Sequence, residues 1–341
     1  MFSSSVHREC ARKGIPTDCH FELTYGCPLR CRHCYSSCYD RPSLLRKELK
    51  TKEVLRVLDK LREAGIVWLC FTGGDPLSRG DFAVIYEYAR RQGFVISLFT
   101  SGFRCDRRAL RALNEFPPFS VEMTLNAATS RTFRIITGRD GLEDVVRTIC
   151  SFRRCGFPVT VKTLVSRLNF GELGAIRELL GDLGLPFRPG ALIFPRLNGD
   201  HAPCRLRLSS SQFSKLIKGS GMDAGCRTKG DAGKALFSCA AGNGNCYIDP
   251  YGYMRMCLTF REGRKSLLDH DVEDIFSDFA CMRKRERNAD SVCLRCPHRG
   301  QCVLCPGKAL LESGDPAGRP AFYCDLARVL HGSKEPDRCA S

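Results

Sequence analysis

Short apolar stretches alternate with amphipathic stretches along residues 20 to about 200 of this sequence. The apolar stretches have the length of a strand, and the amphipathic ones repeat their apolar positions with the period of a helix. In the first such helix, over residues 51–65, the apolar side chains share one face and Gly65 marks the end. The predicted strands are residues 20–26, 66–74, 94–102, 119–126, 158–166 and 190–195, and the predicted helices are residues 51–65, 81–92, 106–115, 140–155 and 170–183.

Strands and helices in strict succession are typical of parallel βα units. Six such units approach, without completing, an eight-fold barrel, so we expect an α/β fold with a partial (β/α)6 TIM-type barrel. In barrels of this kind, the catalytic residues lie at the carboxyl ends of the strands. Three polar stretches follow predicted strands there: GCPLRCRHCY at 26–35, FTGGDP at 71–76 and TLNAAT at 124–129.

The alternating pattern stops after residue 200, and the chain becomes rich in cysteine, glycine and proline with little periodicity. Such a segment has too few apolar positions for a full core, and we expect it to depend on bound metal. The predicted division is an N-terminal extension (1–19), the partial barrel (20–205), a connector (206–234), a small, irregular, cysteine-rich domain (235–330) and a tail (331–341).

Composition and charge narrow the class of protein. Hydrophobic content of 43% and charged content of 26% are ordinary for a soluble globular protein. The sequence has no apolar stretch typical of a membrane span or a signal peptide, so we expect a cytoplasmic protein. The formal charge of +16 comes from arginine and lysine scattered along the chain. That scatter disfavours nucleic-acid binding and suits an acidic partner.

Cysteine is the outlier of the composition, with 22 residues. Cytosolic thiols stay reduced, so metal ligation explains the count better than a disulfide scaffold does. Cys27, Cys31 and Cys34 form a C-x3-C-x2-C loop directly after the first predicted strand. Zinc and iron–sulfur sites normally take four ligands. The loop therefore predicts a metal site whose fourth ligand comes from elsewhere.

A second group of cysteines lies towards the C-terminus and comprises Cys239, Cys246, Cys257, Cys293, Cys296, Cys302, Cys305 and Cys324. Eight thiolates suffice for two four-iron clusters. The two C-x2-C pairs taken alone would fit a zinc ribbon instead. The cysteines outside both groups fit small buried apolar residues or surface thiols.

The cysteine loop after a first β-strand, with His33 before the last cysteine, resembles the radical S-adenosylmethionine (SAM) superfamily. The FTGGDP stretch resembles that family's GGE motif, with Asp75 in place of Glu. The resemblance implies a [4Fe–4S] cluster on Cys27, Cys31 and Cys34 whose fourth iron binds SAM. Reduction of such a cluster breaks the C5′–S bond of SAM, and the 5′-deoxyadenosyl radical abstracts a substrate hydrogen.

The resemblance also implies the residues that contact SAM. The GGE-like stretch would hold the amino group, Thr124 and Asn126 the ribose or carboxylate, and His33 the adenine. Taken alone, the two glycines indicate only a turn, and Thr124 and Asn126 only a polar strand end. The candidate SAM-binding residues are His33, Thr72, Gly73, Gly74, Asp75, Thr124 and Asn126. No residue is predicted as a general acid or base.

The frame Cys239-x12-Gly252-x4-Cys257 resembles the opening of the SPASM domain, a C-terminal iron–sulfur extension of radical SAM enzymes that modify peptides and proteins. The implied ligands of a first auxiliary cluster are Cys239, Cys246, Cys257 and Cys305, and those of a second are Cys293, Cys296, Cys302 and Cys324. Only two residues separate Cys302 from Cys305, where the family usually has three. Cys281 is therefore an alternative to Cys305. The resemblance also leaves open whether Cys246 is a ligand, because some relatives have an open iron at that position, which could bind a substrate thiol or amide.

Leu258 indicates the branch of that family. Sulfatase maturases carry an aspartate base at this position, and a leucine cannot accept a proton. The ribosomal-peptide maturases are the better match, which implies a peptide or small protein substrate that receives a crosslink or thioether or is oxidised. A flavodoxin or ferredoxin would donate electrons, and a separate leader-binding protein is a further expected partner. The alternatives are a radical SAM enzyme acting on a tetrapyrrole side chain and a non-enzymatic zinc-ribbon protein that binds nucleic acid.

Overall fold

The fold was taken from a computed structural model that describes residues 9–36, 42–220 and 233–332. Six parallel strands lie side by side in chain order, as predicted. They are β1 (Asp18–Thr24), β2 (Trp68–Gly73), β3 (Val95–Thr100), β4 (Ser120–Thr124), β5 (Val159–Leu164) and β6 (Phe187–Gly190). A single cavity is lined by residues of all six strands, so the sheet curves into a partial barrel.

Among the described residues, seven α-helices lie between these strands and four follow the last of them. They are α1 (Pro42–Leu45), α2 (Thr51–Glu63), α3 (Phe82–Arg91), α4 (Arg107–Glu115), α5 (Ser130–Thr137), α6 (Leu142–Arg154), α7 (Leu173–Asp182), α8 (Ser210–Ser220), α9 (Val272–Arg283), α10 (Pro306–Ser313) and α11 (Ala321–Gly332). The amphipathic pattern of α2 has the predicted consequence, because Val54, Leu58 and Leu61 are fully buried. Each such side chain contributes about 1.5–3 kcal/mol through burial.

Side chains of β1 alternate between the two faces of the sheet. Cys19, Phe21 and Leu23 are buried in the main apolar core. His20 and Glu22 occupy the intervening positions and therefore face the barrel interior. This alternation places polar and titratable side chains inside the barrel, below the carboxyl ends of the strands.

Two elements differ from the prediction. The last parallel strand is Phe187–Gly190 rather than residues 190–195, because the ladder with β5 ends at Gly190. Ala191 and Ile193 are apolar because they are buried, not because they pair in the sheet. The sequence pattern predicts no element between residues 126 and 140, where the structure has helix α5 with Phe133 buried.

The cysteine-rich region continues the barrel sheet. Strand β7 (Asn245–Ile248) pairs in parallel with β1, and β8 (Tyr253–Arg255) and β9 (Lys265–Ser266) follow in antiparallel order. Met254, Phe260 and Phe279 are fully buried in the same core cluster as the barrel. The region thus shares the barrel's apolar core instead of building its own. The predicted domain boundaries remain predictions, and parts of the extension, connector and tail lie outside the described residues.

No helix within the described ranges is long and apolar enough to cross a lipid bilayer.

Candidate active site

The cysteine loop follows β1 and forms one wall of a cavity of about 390 Å³. Cys27, Cys31 and Cys34 all line this cavity. The loop is held against the end of α5 by backbone hydrogen bonds, with Arg30 N–H donating to Thr137 at 2.8 Å. The sequence prediction that the three cysteines come together beside the strand ends is therefore met.

The thiols of this loop are buried. Burial raises the pKa of Cys27, and the neighbouring Asp75 carboxylate raises it further. Burial and the neighbouring Cys34 and Cys27 raise the pKa of Cys31. Three thiolates in so small a volume need a compensating positive charge, which a bound iron centre supplies. The donor set therefore fits the predicted cluster.

Gly73 and Gly74 are needed where the end of β2 crosses the cysteine loop. Gly73 has φ = +126°, and a Cβ there would overlap the carbonyl oxygen of Thr24. A Cβ on Gly74 would lie 2.6 Å from the carbonyl oxygen of Tyr25. Both glycines also line the cavity. Close backbone packing thus explains why both positions are glycine.

Asp75 lies behind the cavity wall, and its predicted contact with SAM remains a prediction. Its side chain is fully buried and is not among the described residues that line the cavity. One carboxylate oxygen accepts hydrogen bonds from Leu77 N–H at 3.2 Å and Thr100 O–H at 2.6 Å. The other accepts from Ser101 N–H at 3.1 Å and from the Ser101 hydroxyl. All the described contacts of the carboxylate are internal, so Asp75 fixes Ser101, which does line the cavity.

His33 and Asn126 meet in the cavity, together with Thr72 and Thr124. The His33 ring nitrogen Nε2 lies 3.4 Å from Asn126 Nδ2. Burial lowers the pKa of His33 to about 4, so the imidazole is neutral at physiological pH. Asn126 is fixed by Leu164 N–H, which donates to its Oδ1 at 2.9 Å. These side chains can therefore offer hydrogen bonds from fixed positions.

Sequence reasoning missed two charged residues on the cavity wall. Glu122 on β4 and Lys162 on β5 form an ion pair, and the Lys162 ammonium lies 5.2 Å from the centre of the Phe99 ring. Glu122 is the one carboxylate and Lys162 the one amine among the described residues that line the cavity. The sequence signal that could have identified them is a charged residue at an inward-facing position of a central strand. Leu258 lines the same cavity.

A buried ionic network connects the cysteine loop to the C-terminal hairpin. Glu22 of β1 and Arg255 of β8 are both fully buried and form an ion pair. The hydroxyls of Tyr25 and Tyr35 each donate to Glu22 at 3.0 Å. Tyr35 follows Cys34 directly and lines the cavity. The network therefore ties the wall of the cavity to the strand that leads into Cys257.

The second predicted cluster has its cysteines in one place. A cavity of about 140 Å³ is lined by Cys293, Cys296, Cys302 and Cys324. Burial raises the pKa of Cys302, and the other three thiols are close enough to affect that pKa. The structure thus brings together the four cysteines that the sequence grouped, and their role as ligands remains a prediction.

The first predicted auxiliary group is brought together only in part. Cys257 and Cys305 are close, since the Cys305 thiol acts on the pKa of Cys257. Cys239 is half-buried, and its carbonyl oxygen accepts a hydrogen bond from Arg283 at 2.8 Å. Cys281 is exposed on α9, which favours Cys305 over the alternative. Cys246 is buried in β7.

Comparison with known proteins agrees with this geometry. Residues 21–180 match the sequence family described as Radical SAM superfamily. The mycofactocin maturase MftC of Mycobacterium tuberculosis is 26% identical over 339 residues, which cover 93% of this chain and 83% of that protein. The AdoMet-dependent heme synthase of Methanosarcina barkeri is 23% identical over 328 residues, with 86% of this chain and 92% of that protein covered.

Among solved structures, Streptococcus suis SuiB bound to precursor peptide SuiA superposes with a TM-score of 0.72 at 14% identity. The superposition covers 94% of this chain and 80% of that chain, and it shows that the two share a fold. That fold, the family match and the position of the cysteine loop at the strand ends all indicate a radical SAM domain. Residues 21–180 of the chain therefore form a domain of the radical SAM superfamily, whose members are enzymes that use a [4Fe–4S] cluster and SAM.

Proposed function

We propose that this enzyme binds SAM at a [4Fe–4S] cluster held by Cys27, Cys31 and Cys34 and modifies a peptide or small protein. When bound, the cluster and SAM supply a 5′-deoxyadenosyl radical. The observation that carries the proposal is that the three thiols share one cavity with the carboxyl ends of β2 to β5. The cavity therefore offers a cluster site and polar contacts side by side.

The chain's own residues bind and orient the cofactor in this proposal. Gly73, Gly74 and Ser101 line the cavity, and Asp75 holds Ser101 in place through its internal hydrogen bonds. The neutral His33 ring and the fixed amide of Asn126 supply further contacts. Phe133 and Leu192 help to exclude water from this space.

Glu122 and Lys162 face the space that remains for the substrate. Glu122 is the one carboxylate among the described residues that line the cavity, so it is the group that can take up a proton that the substrate loses. Leu258 cannot perform this step, since it has no titratable group. We therefore assign proton transfer, where the modification requires it, to Glu122 with Lys162 as its partner.

Two features support a peptide as substrate. The relative from Mycobacterium tuberculosis is a maturase of mycofactocin, and SuiB was solved with a precursor peptide. The net charge of +16 would attract an acidic peptide over long range. A flavodoxin-like or ferredoxin-like donor of electrons and a separate leader-binding protein complete the proposed set of partners.

A tetrapyrrole is the second candidate substrate, because the Methanosarcina barkeri relative is a heme synthase. Its archaeal sequence spans most of this chain, so the relation is not confined to the cysteine loop. The two candidates differ in the size and chemistry of the substrate and can be separated by mass spectrometry.

The test uses the full chain, loaded anaerobically with iron and sulfide and reduced with dithionite in the presence of SAM. The substrates offered are short peptides encoded beside the gene and, in a parallel arm, a tetrapyrrole. We expect a defined mass change in a peptide, absent with the control variant Cys31→Ala. A mass change in the tetrapyrrole alone, or in neither substrate, would contradict the peptide proposal.

A further inference from the structure

Cys246 lies apart from the cysteines with which the sequence grouped it. It belongs to β7, which pairs in parallel with β1, and its register partner is Cys19. Both residues are 1% exposed, and burial together with the neighbouring Cys246 thiol raises the pKa of Cys19. The Sγ atom of Cys246 also lies 3.8 Å from the carbonyl oxygen of Asp18. The described contacts of this thiol are therefore with β1.

The two faces of β7 carry different side chains. The register with β8 places Tyr247 beside Arg255. Successive side chains of a strand point to opposite faces, so Cys246 shares its face with Ile248. Both belong to the buried apolar core. Tyr247 lies on the other face, where its ring stacks on His20 with 4.7 Å between ring centres.

Cys257 lies on the Tyr247 side of this ladder. Arg255 is the register partner of Tyr247, whereas Met254 and Met256 are fully buried in the apolar core, so the alternation of side chains places Cys257 with Arg255 and Tyr247. The Cys257 Sγ also accepts a hydrogen bond from Phe260 N–H at 3.3 Å. Cys246 and Cys257 therefore point to different sides of the β7–β8 hairpin.

The strand ladder prevents Cys246 from turning towards Cys257. Four successive residues of β7 are in register with β1, from Asn245 beside Asp18 to Ile248 beside Phe21. A shift of one residue would move every side chain of β7 to the other face. It would bring Tyr247 into the apolar core and break its stacking on the barrel side.

We infer that Cys246 is a core thiol and not an iron ligand, so that the first auxiliary centre has three cysteine ligands: Cys239, Cys257 and Cys305. The inference rests on the proposed function, because it takes the auxiliary centres as present. A four-iron cluster held by three thiolates has one coordination position left for a donor that is not a cysteine. A hydroxyl, an imidazole or a group of the peptide substrate has the required chemistry.

The experiment measures iron and sulfide per chain and the electron paramagnetic resonance spectrum of the reduced full chain. The variants are Cys246→Ala and Cys246→Val, of which the valine refills the apolar volume. Cys257→Ala is the comparison for a true ligand. Cys19→Ala is the matched control, since it removes the other member of the buried pair.

We expect about twelve irons per chain in the parent protein, the number for three four-iron clusters. Both Cys246 variants and Cys19→Ala keep this number and the parent spectrum, while Cys257→Ala loses about one-third of the iron. The same loss of iron in either Cys246 variant would overturn the inference. A parent protein that holds only about four irons would overturn the proposal of auxiliary centres, and the inference with it.

Discussion

At the scale of single residues, Asp75 and Ser101 illustrate how a residue in a motif can fix a neighbour that lines the cavity. The sequence places an acid after the two glycines, as a binding motif would require. The structure buries that acid and uses both of its oxygens to fix the end of β3. Ser101, and not Asp75, then lies on the cavity wall.

We predict that Asp75→Asn destabilises the enzyme and weakens SAM binding. Either orientation of the amide would place its NH₂ group against a backbone N–H donor, that of Leu77 or that of Ser101. Such a mismatch costs about 1–3 kcal/mol. Anaerobic denaturant unfolding and SAM titration measure the two effects.

The control for this substitution is Asp140→Asn. Asp140 forms an exposed ion pair with Arg134, and such pairs contribute about 0–1 kcal/mol. Equal stability of Asp75→Asn and Asp140→Asn, with unchanged SAM affinity, would show that Asp75 does not hold the cavity wall in place.

At the scale of elements, β1 and β8 are joined by both backbone pairing through β7 and a buried ion pair. Glu22 accepts hydrogen bonds from two tyrosines and pairs with Arg255 at zero exposure. Burial raises the pKa of Glu22, whereas the Arg255 charge opposes that rise. The pair thus links the cysteine loop to the hairpin that carries Cys257.

We predict that breaking this pair is far more costly than removing both partners. Glu22→Gln or Arg255→Met alone leaves one buried group uncompensated, which typically costs about 3–5 kcal/mol. The double variant recovers part of this loss, because neither Glu22 nor Arg255 is then left charged without the other, while the buried Asp249 keeps Arg261 and Arg264 as ion-pair partners. A double-mutant cycle by denaturant unfolding measures the coupling. The exposed pair Arg328–Asp325 serves as control and should give about 0–1 kcal/mol.

Additive losses at Glu22 and Arg255 would contradict this account of the hairpin junction.

The elements that sequence predicted well are those with a local signal. Strands β1 to β5 combine apolar runs with turn residues at their ends, and each has a helix of clear period beside it. The predicted position of strand β6 is wrong, because residues 191–195 are buried without pairing in the sheet and so have the apolar pattern of a strand. Strand β7 was missed because its partner, β1, lies more than two hundred residues away in the sequence.

The candidate site also combines residues with a local sequence signal and residues that meet only in the folded chain. The cysteine spacing and the glycine pair are local, so the sequence located one wall of the cavity. Glu122 and Lys162 meet only because β4 and β5 pair, and no spacing along the chain reveals that contact. The separation of Cys246 from Cys257 depends on strand faces, which spacing also does not encode.

At the scale of the whole molecule, one sheet of nine strands runs through both the barrel and the cysteine-rich region. Removal of residues 233–341 would leave the edge of β1 unpaired and expose part of the shared core. Exposed strand edges of this kind promote aggregation. We predict that a fragment ending at residue 220 is insoluble or oligomeric.

Size-exclusion chromatography of the fragment beside the full chain measures this outcome. A soluble monomer with the cooperative unfolding of a complete barrel would contradict the shared core and favour two separable domains.

The central claim is that the iron site of Cys27, Cys31 and Cys34 binds SAM and splits it. The most direct measurement is the release of 5′-deoxyadenosine from SAM by the iron-loaded, dithionite-reduced full chain under strict anaerobiosis. We predict release even without a substrate, as a slow abortive reaction, and none from Cys31→Ala under the same conditions. No 5′-deoxyadenosine from the parent protein with its iron in place, or equal release from Cys31→Ala, would contradict the claim.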